Sequence, residues 1–471
     1  MLIRFTVENF LSFNKRCDFN TIASPEERHP HHVIKEDNNE SVGLLRTSII
    51  YGANASGKSN LIKSMFFAQQ TILGRENILY KKFKLDENCE NKPSRFEYEF
   101  KIGDRQYAYG FSLDKSKNES KIHGEWLFEI GLTLEKPIFE REYNTIKFNF
   151  ESSLLLRLND EERKQLEDES KNASSQILFL TYCKNNNIKY FESILYWFQE
   201  TLKIIFPHTK GITLTLTVQQ YPELVDEFLE AFGLGIQKIE LNESQFNNSE
   251  EIPDSIRDRA ADRYYFRDLE DNIICLTDSD ITIKKMKDSD RVIVSTLNTV
   301  HDRHDNITFE IPEESEGTQR IIDFIPMLIS LTLGDVVFIV DEIGRSLHSL
   351  LLENIFDIFL NFNQESENPV YPRSQLIATT HDTHLLVSQT SEYSFLDSER
   401  LFRNDEIWFV EKDKTEQSIM YSLANTNVDD LDLAKGYFNG RFGALNFVRK
   451  ETLKKIVQQH NQSQQKGEEN V

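Results

Sequence analysis

An α/β fold, with mixed and parallel sheet layers, flanking helices and a phosphate-binding loop at its centre, is predicted by three stretches of the chain. Residues 47–73 run from a short apolar strand, Ser48-Ile-Ile-Tyr51, through a glycine-bearing loop into a segment where Leu61, Ile62, Met65, Phe66 and Leu73 recur at helical spacing. Val336-Val-Phe-Ile-Val340 is a continuous apolar run, as expected of a central parallel strand buried on both faces, and it ends in Asp341-Glu342. Gln375-Leu-Ile-Ala-Thr-Thr380 repeats that pattern and ends in His381-Asp382. Active groups at the carboxyl ends of successive parallel strands face one crevice.

The chain has 471 residues, 39% hydrophobic and 11% aromatic, enough for two or three core-forming units. Its 77 acidic and 54 basic residues give a formal charge of -23, so the average surface repels a nucleic acid backbone. A nucleic acid partner is therefore disfavoured, and only a local basic strip would provide for one. Cys17, Cys89, Cys183 and Cys275 are isolated and show no C-x-x-C spacing, which argues against zinc and against a disulfide framework and fits a reducing cytoplasm. No run is apolar over the length a membrane span needs, so a membrane partner is not expected.

In chain order, Leu2 to Phe10 and Lys15 to Ile22 read as a hairpin. Residues 23–45, with His29, His31 and His32 among Pro, Glu and Asn, read as a solvated loop. Gly52-Ala-Asn-Ala-Ser-Gly-Lys-Ser-Asn60 matches G-x-x-x-x-G-K-[ST], followed by Asn60. Gly52 and Gly57 let backbone N–H groups of the loop turn toward phosphate oxygens at a helix N-terminus, and Asn54 and Asn60 are expected with them among the nucleotide-binding residues. Lys58 would reach the terminal phosphates of ATP, and Ser59 would hold Mg2+. Arg95 to Ile102 and Gln106 to Leu113 alternate around Gly103-Asp104, and further alternation at Trp126 to Leu134 and Ile146 to Phe150 completes lobe I, residues 1–150, as a mixed sheet around one helix.

Residues 151–305 read as a mainly helical insertion with some strands. Asp160 to Glu167 is a charged helical run, and Phe191, Ile194, Leu195, Phe198, Leu202 and Ile205 form one apolar helical face. A second helix spans Pro222 to Phe232, before strands at Ile236 to Leu241 and Ile281 to Val294. Lobe II, residues 306–454, gives a strand at Ile307, a helix from about Thr318, the Val336 and Gln375 strands, and a helix at Leu347 to Leu360 between them. Residues 455–471 are polar, of low complexity, and expected to be disordered.

Within lobe II, Asp341 is expected on the metal side and Glu342 as the base or water-orienting group, with His381 reaching the γ phosphate or the attacking water. Glu314 to Arg320 is a helix-capping turn whose small residues would admit an anion. The order phosphate loop, insertion, Ser315-x-Gly317-x-Gln319 helix, Asp-Glu strand and Thr-Thr-His strand resembles the ABC-type ATPase head. This group includes structural-maintenance-of-chromosomes proteins, Rec-type repair ATPases and overcoming-lysogenization-defect ATPases. The resemblance covers about residues 1–150 and 306–450 and is carried also by Val7-Glu-Asn-Phe-Leu-Ser-Phe13, Asp341-Glu-Ile-Gly-Arg-Ser-Leu-His348, Arg403-Asn-Asp-Glu-Ile-Trp-Phe-Val-Glu-Lys412 and Tyr437-Phe-Asn-Gly-Arg-Phe-Gly443. It is nearest to AAA-like ATP-binding proteins of bacterial abortive-infection and phage-defence operons.

The resemblance implies an ATPase that works as a head-to-tail dimer or higher oligomer. Ser315, Gly317 and Gln319 would then contact ATP held by the other subunit, and Ser346 and His348 would lie on the loop that crosses the interface. The signature has Glu316 where the common pattern has Gly. With neither sustained heptads nor a C-terminal nuclease domain expected, the resemblance implies a switch that controls a separately encoded nuclease or toxin. An ATP-dependent DNA-maintenance or repair clamp is the alternative, and a small-molecule kinase is disfavoured by the signature-like helix.

Overall fold

The computed structural model describes residues 1–35, 42–75, 79–115, 120–131, 135–207, 214–247, 266–269, 273–276, 281–285, 291–301, 307–361, 372–386, 400–426, Leu433 and Tyr437. The 455–471 tail and most of the Tyr437 to Gly443 motif lie outside the described residues.

The first part of the chain contains β1 (Leu2–Glu8), β2 (Cys17–Asn20), β3 (Val33–Ile34), β4 (Leu44–Leu45), β5 (Thr47–Gly52) and α1 (Lys58–Ile72). It continues through β6 (Ser94–Ile102), β7 (Arg105–Lys115), β8 (Ser120–Ile130), β9 (Glu135–Glu142) and β10 (Thr145–Phe148). The first sheet has order β10-β9-β8-β7-β6-β1-β2, and every neighbouring pair is antiparallel. This corrects the mixed sheet expected for residues 1–150. β5 leaves to join another sheet because all six of its residues are buried, which only an interior strand covered on both faces permits.

Next come α2 (Asp160–Asn172), α3 (Phe179–Asn185), α4 (Glu192–Tyr196) and β11 (Leu202–Ile205). Leu202 and Ile205, expected on one helical face, lie in a strand: β11 pairs in parallel with residues Val337 to Val340. Helical spacing at Phe198, Leu202 and Ile205 is a local signal, and here a partner strand more than a hundred residues away overrides it. The helices before β11 pack on the first sheet. Trp197 stacks on Phe100 with ring centroids 4.2 Å apart, and both are buried in the same core as Phe67, Phe96 and Tyr98. Glu125 and Arg141, both without exposed surface, fasten the segment further. The Glu125 carboxylate accepts from the backbone N–H groups of Phe179 and Leu180, while Arg141 donates to the Ser174 and Ile177 carbonyls.

The rest of the expected insertion is a separate layer. It holds α5 (Leu214–Gln220), α6 (Pro222–Ala231), β12 (Ile236–Phe246), β13 (Phe266–Leu269), β14 (Ile273–Leu276), β15 (Ile281–Lys285) and β16 (Val292–His301). Its sheet, order β12-β16-β15-β14-β13, also pairs β16 with β17 (Thr308–Glu310). The segment expected to be mainly helical thus divides into helices on the first sheet and an antiparallel sheet of its own.

Then follow α7 (Glu316–Leu333), β18 (Val337–Val340), α8 (Ser349–Asn361), β19 (Gln375–Thr379), β20 (Ile407–Lys412) and β21 (Ser418–Ser422). The second sheet has order β11-β18-β19-β5-β20-β21, parallel except for the β20–β21 hairpin. α7 is apolar on two sides. Ile322, Ile325 and Ile329 pack with the third layer, and Phe324, Met327, Leu328 and Leu331 pack against the second sheet.

Residues 23–34 depart from the expected solvated loop. His32 has no exposed surface and contacts Glu406 through Nδ1, and buried Arg403 donates to the carbonyls of Ser24, Glu26 and Arg28.

Candidate functional site

The phosphate loop joins the end of β5 to α1, in a space closed from below by β20 and β21. A Cβ at Gly52 would collide with the Val410 carbonyl of the paired strand and with Ser56 Oγ. Gly57 has φ +121°, and a side chain there would drive into Ser418 Oγ. Both glycines are therefore required by backbone approach, as the motif implies. Ala55 takes the left-handed conformation, φ 64°, without being glycine.

Lys58 is 6% exposed, and its ammonium is folded back onto the Gly52 and Ala53 carbonyls at 2.7 and 3.1 Å. Burial lowers its pKa to about 8, against the opposing pull of Asp341 and Glu342. Ser59 Oγ donates to Asp341 Oδ1 at 3.1 Å, across 282 residues of sequence. The same carboxylate oxygen accepts from Thr379 Oγ1 at 2.7 Å, and Thr379 Oγ1 accepts from the Glu342 backbone N–H at 2.8 Å. Glu342 has φ 52°, a left-handed turn immediately after β18. His381 is exposed, and partial burial of its ring, then the Lys58 ammonium, hold its pKa below the usual histidine range against Glu342 and Asp341. The ends of β5, β18 and β19 thus bring Lys58, Ser59, Asp341, Glu342 and His381 into one cluster.

A hydroxyl and a carboxylate that already meet are oxygen donors of the kind Mg2+ takes while keeping waters and phosphate oxygens as its other ligands. An ammonium resting on loop carbonyls has a ready exchange for phosphate oxygens. The residues present fit both Mg2+ and a nucleotide triphosphate.

Asn54 is exposed at the tip of the loop. Asn60 lies on the inner side and donates to Ser12 Oγ at 2.9 Å. Ser12 Oγ meets Ser418 Oγ at 2.8 Å, and Ser418 Oγ donates to the Ser56 carbonyl at 2.6 Å. This hydroxyl chain braces the loop from beneath and was not singled out in the sequence, although Ser12 lies within the Val7 to Phe13 motif. A serine on a late strand carries no local sign that its partner lies in a loop 362 residues earlier. Tyr437 was also missed as an individual contact: its ring packs edge-on to Tyr51, directly before the loop, with centroids 5.9 Å apart.

Ser315, Gly317 and Gln319 lie at the start of α7. Ser315 caps α7 by accepting from the Thr318 N–H at 3.2 Å, and Gln319 Nε2 donates to the Glu314 and Pro312 carbonyls. A Cβ on Gly317 would lie 3.7 Å from the Ser346 carbonyl. The small-residue turn therefore borders the Asp341 to His348 loop. Glu314 ties it to the third layer by accepting from Thr299 Oγ1 and meeting His301 Nε2 at 2.9 Å.

Residues 48–388, well over half of the chain, match a family described as "AAA domain, putative AbiEii toxin, Type IV TA system". A search of curated proteins finds no match. Among solved structures, the chain is similar to "Crystal structure of the SmcHead bound to the C-winged helix domain of ScpA", with 13% identity, 89% of this chain and 97% of that chain covered, and a TM-score of 0.40. No described helix is long and apolar enough to cross a membrane.

Proposed function

The chain belongs to this AAA-domain family, and from that premise we propose that it binds and hydrolyses ATP as a dimeric switch controlling a separately encoded nuclease or toxin in defence against phage. The observation that carries the reading is the meeting of Ser59 and Asp341 at 3.1 Å. It brings the phosphate loop to the carboxylate strand, which supports a site for phosphoryl transfer to water.

Lys58 exchanges its carbonyl contacts for the terminal phosphates of ATP and neutralises their charge. Mg2+, held by Ser59 and Asp341, would withdraw charge from the phosphate oxygens. Thr379 fixes the Asp341 carboxylate and, through the Glu342 N–H, the turn from which the Glu342 side chain takes a proton from the attacking water. His381 stands beside that turn with its ring kept neutral, able to accept or donate a hydrogen bond at the γ phosphate.

Two features support coupling to a partner. The Ser315 turn is tethered to the third layer through Glu314, and α7 packs against both that layer and the second sheet. Movement of the turn on meeting ATP of a facing subunit would be passed to the 214–310 layer, where we place effector contact. The acidic balance of the chain, -23, favours this over a clamp around DNA.

The test compares two variants by ATP binding and phosphate release. Lys58→Ala should lose ATP binding, whereas Glu342→Gln should bind and hydrolyse at least about a hundredfold more slowly, the usual contribution of general base catalysis. Parental hydrolysis by Glu342→Gln would remove the base assignment.

A further inference from the structure

At the other end of the second sheet, away from the phosphate loop, three imidazoles are gathered. One ring nitrogen from each of His29, His31 and His32 lies within 4.8 Å of the others. His29 and His32 stack with ring centroids 4.8 Å apart, and His31 stands edge-on to both. Each ring also has an oxygen partner outside the group. His29 Nε2 meets the Arg400 carbonyl at 2.7 Å, His31 Nε2 meets Asn361 Oδ1 at 2.8 Å, and His32 Nδ1 meets the Glu406 carboxylate at 3.1 Å. Such outer partners fix the tautomer and ring orientation of metal-binding histidines. His32 contributes a second, independent sign. It has no exposed surface, and its Nε2 is buried without any hydrogen-bond partner, a group that costs free energy unless something is bound to it.

We propose that His29, His31 and His32 bind one divalent transition-metal ion of the zinc type, a structural clamp distinct from the Mg2+ position at Ser59 and Asp341. Two nitrogens bound at 2.0–2.1 Å to a tetrahedral ion lie about 3.3 Å apart, so the cluster must close by about 1.5 Å, a movement within reach of side-chain rotation. Three imidazoles select zinc and its neighbours over Mg2+, which takes oxygen ligands.

The ion would tie three separate pieces together. His32 accepts from the Arg46 N–H just before β5, Asn361 ends α8, and Glu406 directly precedes β20. β5 separates this cluster from the phosphate loop by six residues, roughly 20 Å at strand rise. The clamp therefore acts on stability and leaves the chemistry at Glu342 alone.

The experiment uses the full chain without a histidine tag, stripped of metal, with Zn2+ titrated against a chromophoric chelator in excess Mg2+. One equivalent should bind per chain, the melting temperature should rise by several degrees, and chelator should reverse the rise. His29→Ala and His31→Ala, both at half-buried positions, should each weaken binding by about tenfold or more and remove the thermal shift. Asp341→Asn should retain both. Co2+ in place of Zn2+ should give the visible bands of an imidazole-bound ion in the parent and lose them in H29A/H31A. Binding well below one equivalent, survival of binding in the folded double variant, or its loss in Asp341→Asn would overturn the proposal.

Discussion

The Thr379 hydroxyl is shared between the Asp341 carboxylate and the Glu342 backbone, so one buried side chain holds both the Asp341 acid and the turn that carries Glu342. Thr379→Val keeps the shape and removes the hydroxyl, leaving each neighbour short of one hydrogen bond at a cost of about 1–3 kcal/mol per buried group. We expect kcat to fall about tenfold or more, with a smaller change in KM and an intact fold by circular dichroism; unchanged kcat would show that the carboxylates hold themselves in place. His31 and His32 govern a different property. Their folded pKa values lie below the unfolded value of about 6.5, so the metal-free unfolded chain takes up protons first as pH falls. Their neutral burial costs no protonation energy above about pH 6.5, and stability is lost from there toward about pH 4 for His31 and about pH 2 for His32. Each unmatched proton contributes about 1.4 kcal/mol per pH unit. The facing groups are His29, Arg46, Asn361, Arg403, Asp405 and Glu406, and of these only Asp405 pulls the His32 value upward among its leading influences. Denaturant midpoints at pH 7 and pH 5 should fall more steeply for the parent than for His31→Asn. At this scale the chemistry was readable wherever a residue type is tied to a motif, as for Lys58, Ser59, Asp341 and Glu342. Ser12, Ser418 and the His32–Glu406 contact were not readable, because their partners are set by folding across hundreds of residues.

Among the elements, α2 shows which part of the middle segment is surface. Asn159 and Glu162 form a capping box, and within the helix only Leu166 and Ser170 are buried. Glu161→Lys, Glu167→Lys and Asp168→Lys together should therefore leave phosphate release within about twofold of the parent, since exposed changes of this kind seldom move stability by more than about 0.5 kcal/mol each. A large loss in the folded triple variant would put this surface in the ATPase cycle. β11 is the opposite case. Its four residues complete the helical pattern begun at Phe191, and their strand character exists only because Val337 to Val340 offers an edge to pair with. β18 and β19 were legible because each is a continuous apolar run, the mark of a parallel strand covered on both faces, and β5 because the loop after it announces it. The antiparallel sheet of residues 236–310 was only partly legible, since β12 carries mostly polar, exposed residues and β16 mixes polar with apolar ones.

For the molecule as a whole, the proposed head-to-tail dimer builds each working site from two chains. Lys58→Ala and Gly317→Glu should each be inactive alone. In a mixed dimer one site carries both lesions and the other carries neither, so a doubly tagged mixed preparation should recover about half the parental rate if the sites are independent. Mixed dimers of confirmed mass that bind ATP and release no phosphate above either single variant would support a site complete within one chain.

The second sheet also bears on how the chain is made. β5 emerges early and is buried throughout, yet Thr47 donates its hydroxyl to Leu376, 329 residues further along. At about 5–20 residues per second, roughly 15 to 65 seconds pass on the ribosome before that neighbour exists. During this interval an apolar strand has neither of its flanking strands, while the antiparallel first sheet, whose strands all lie within residues 2–148, can already close. Synthesis thus passes through a stage in which the scaffold is assembled and the nucleotide loop is not, and slow elongation over residues 151–374 would lengthen the exposure of β5 to aggregation.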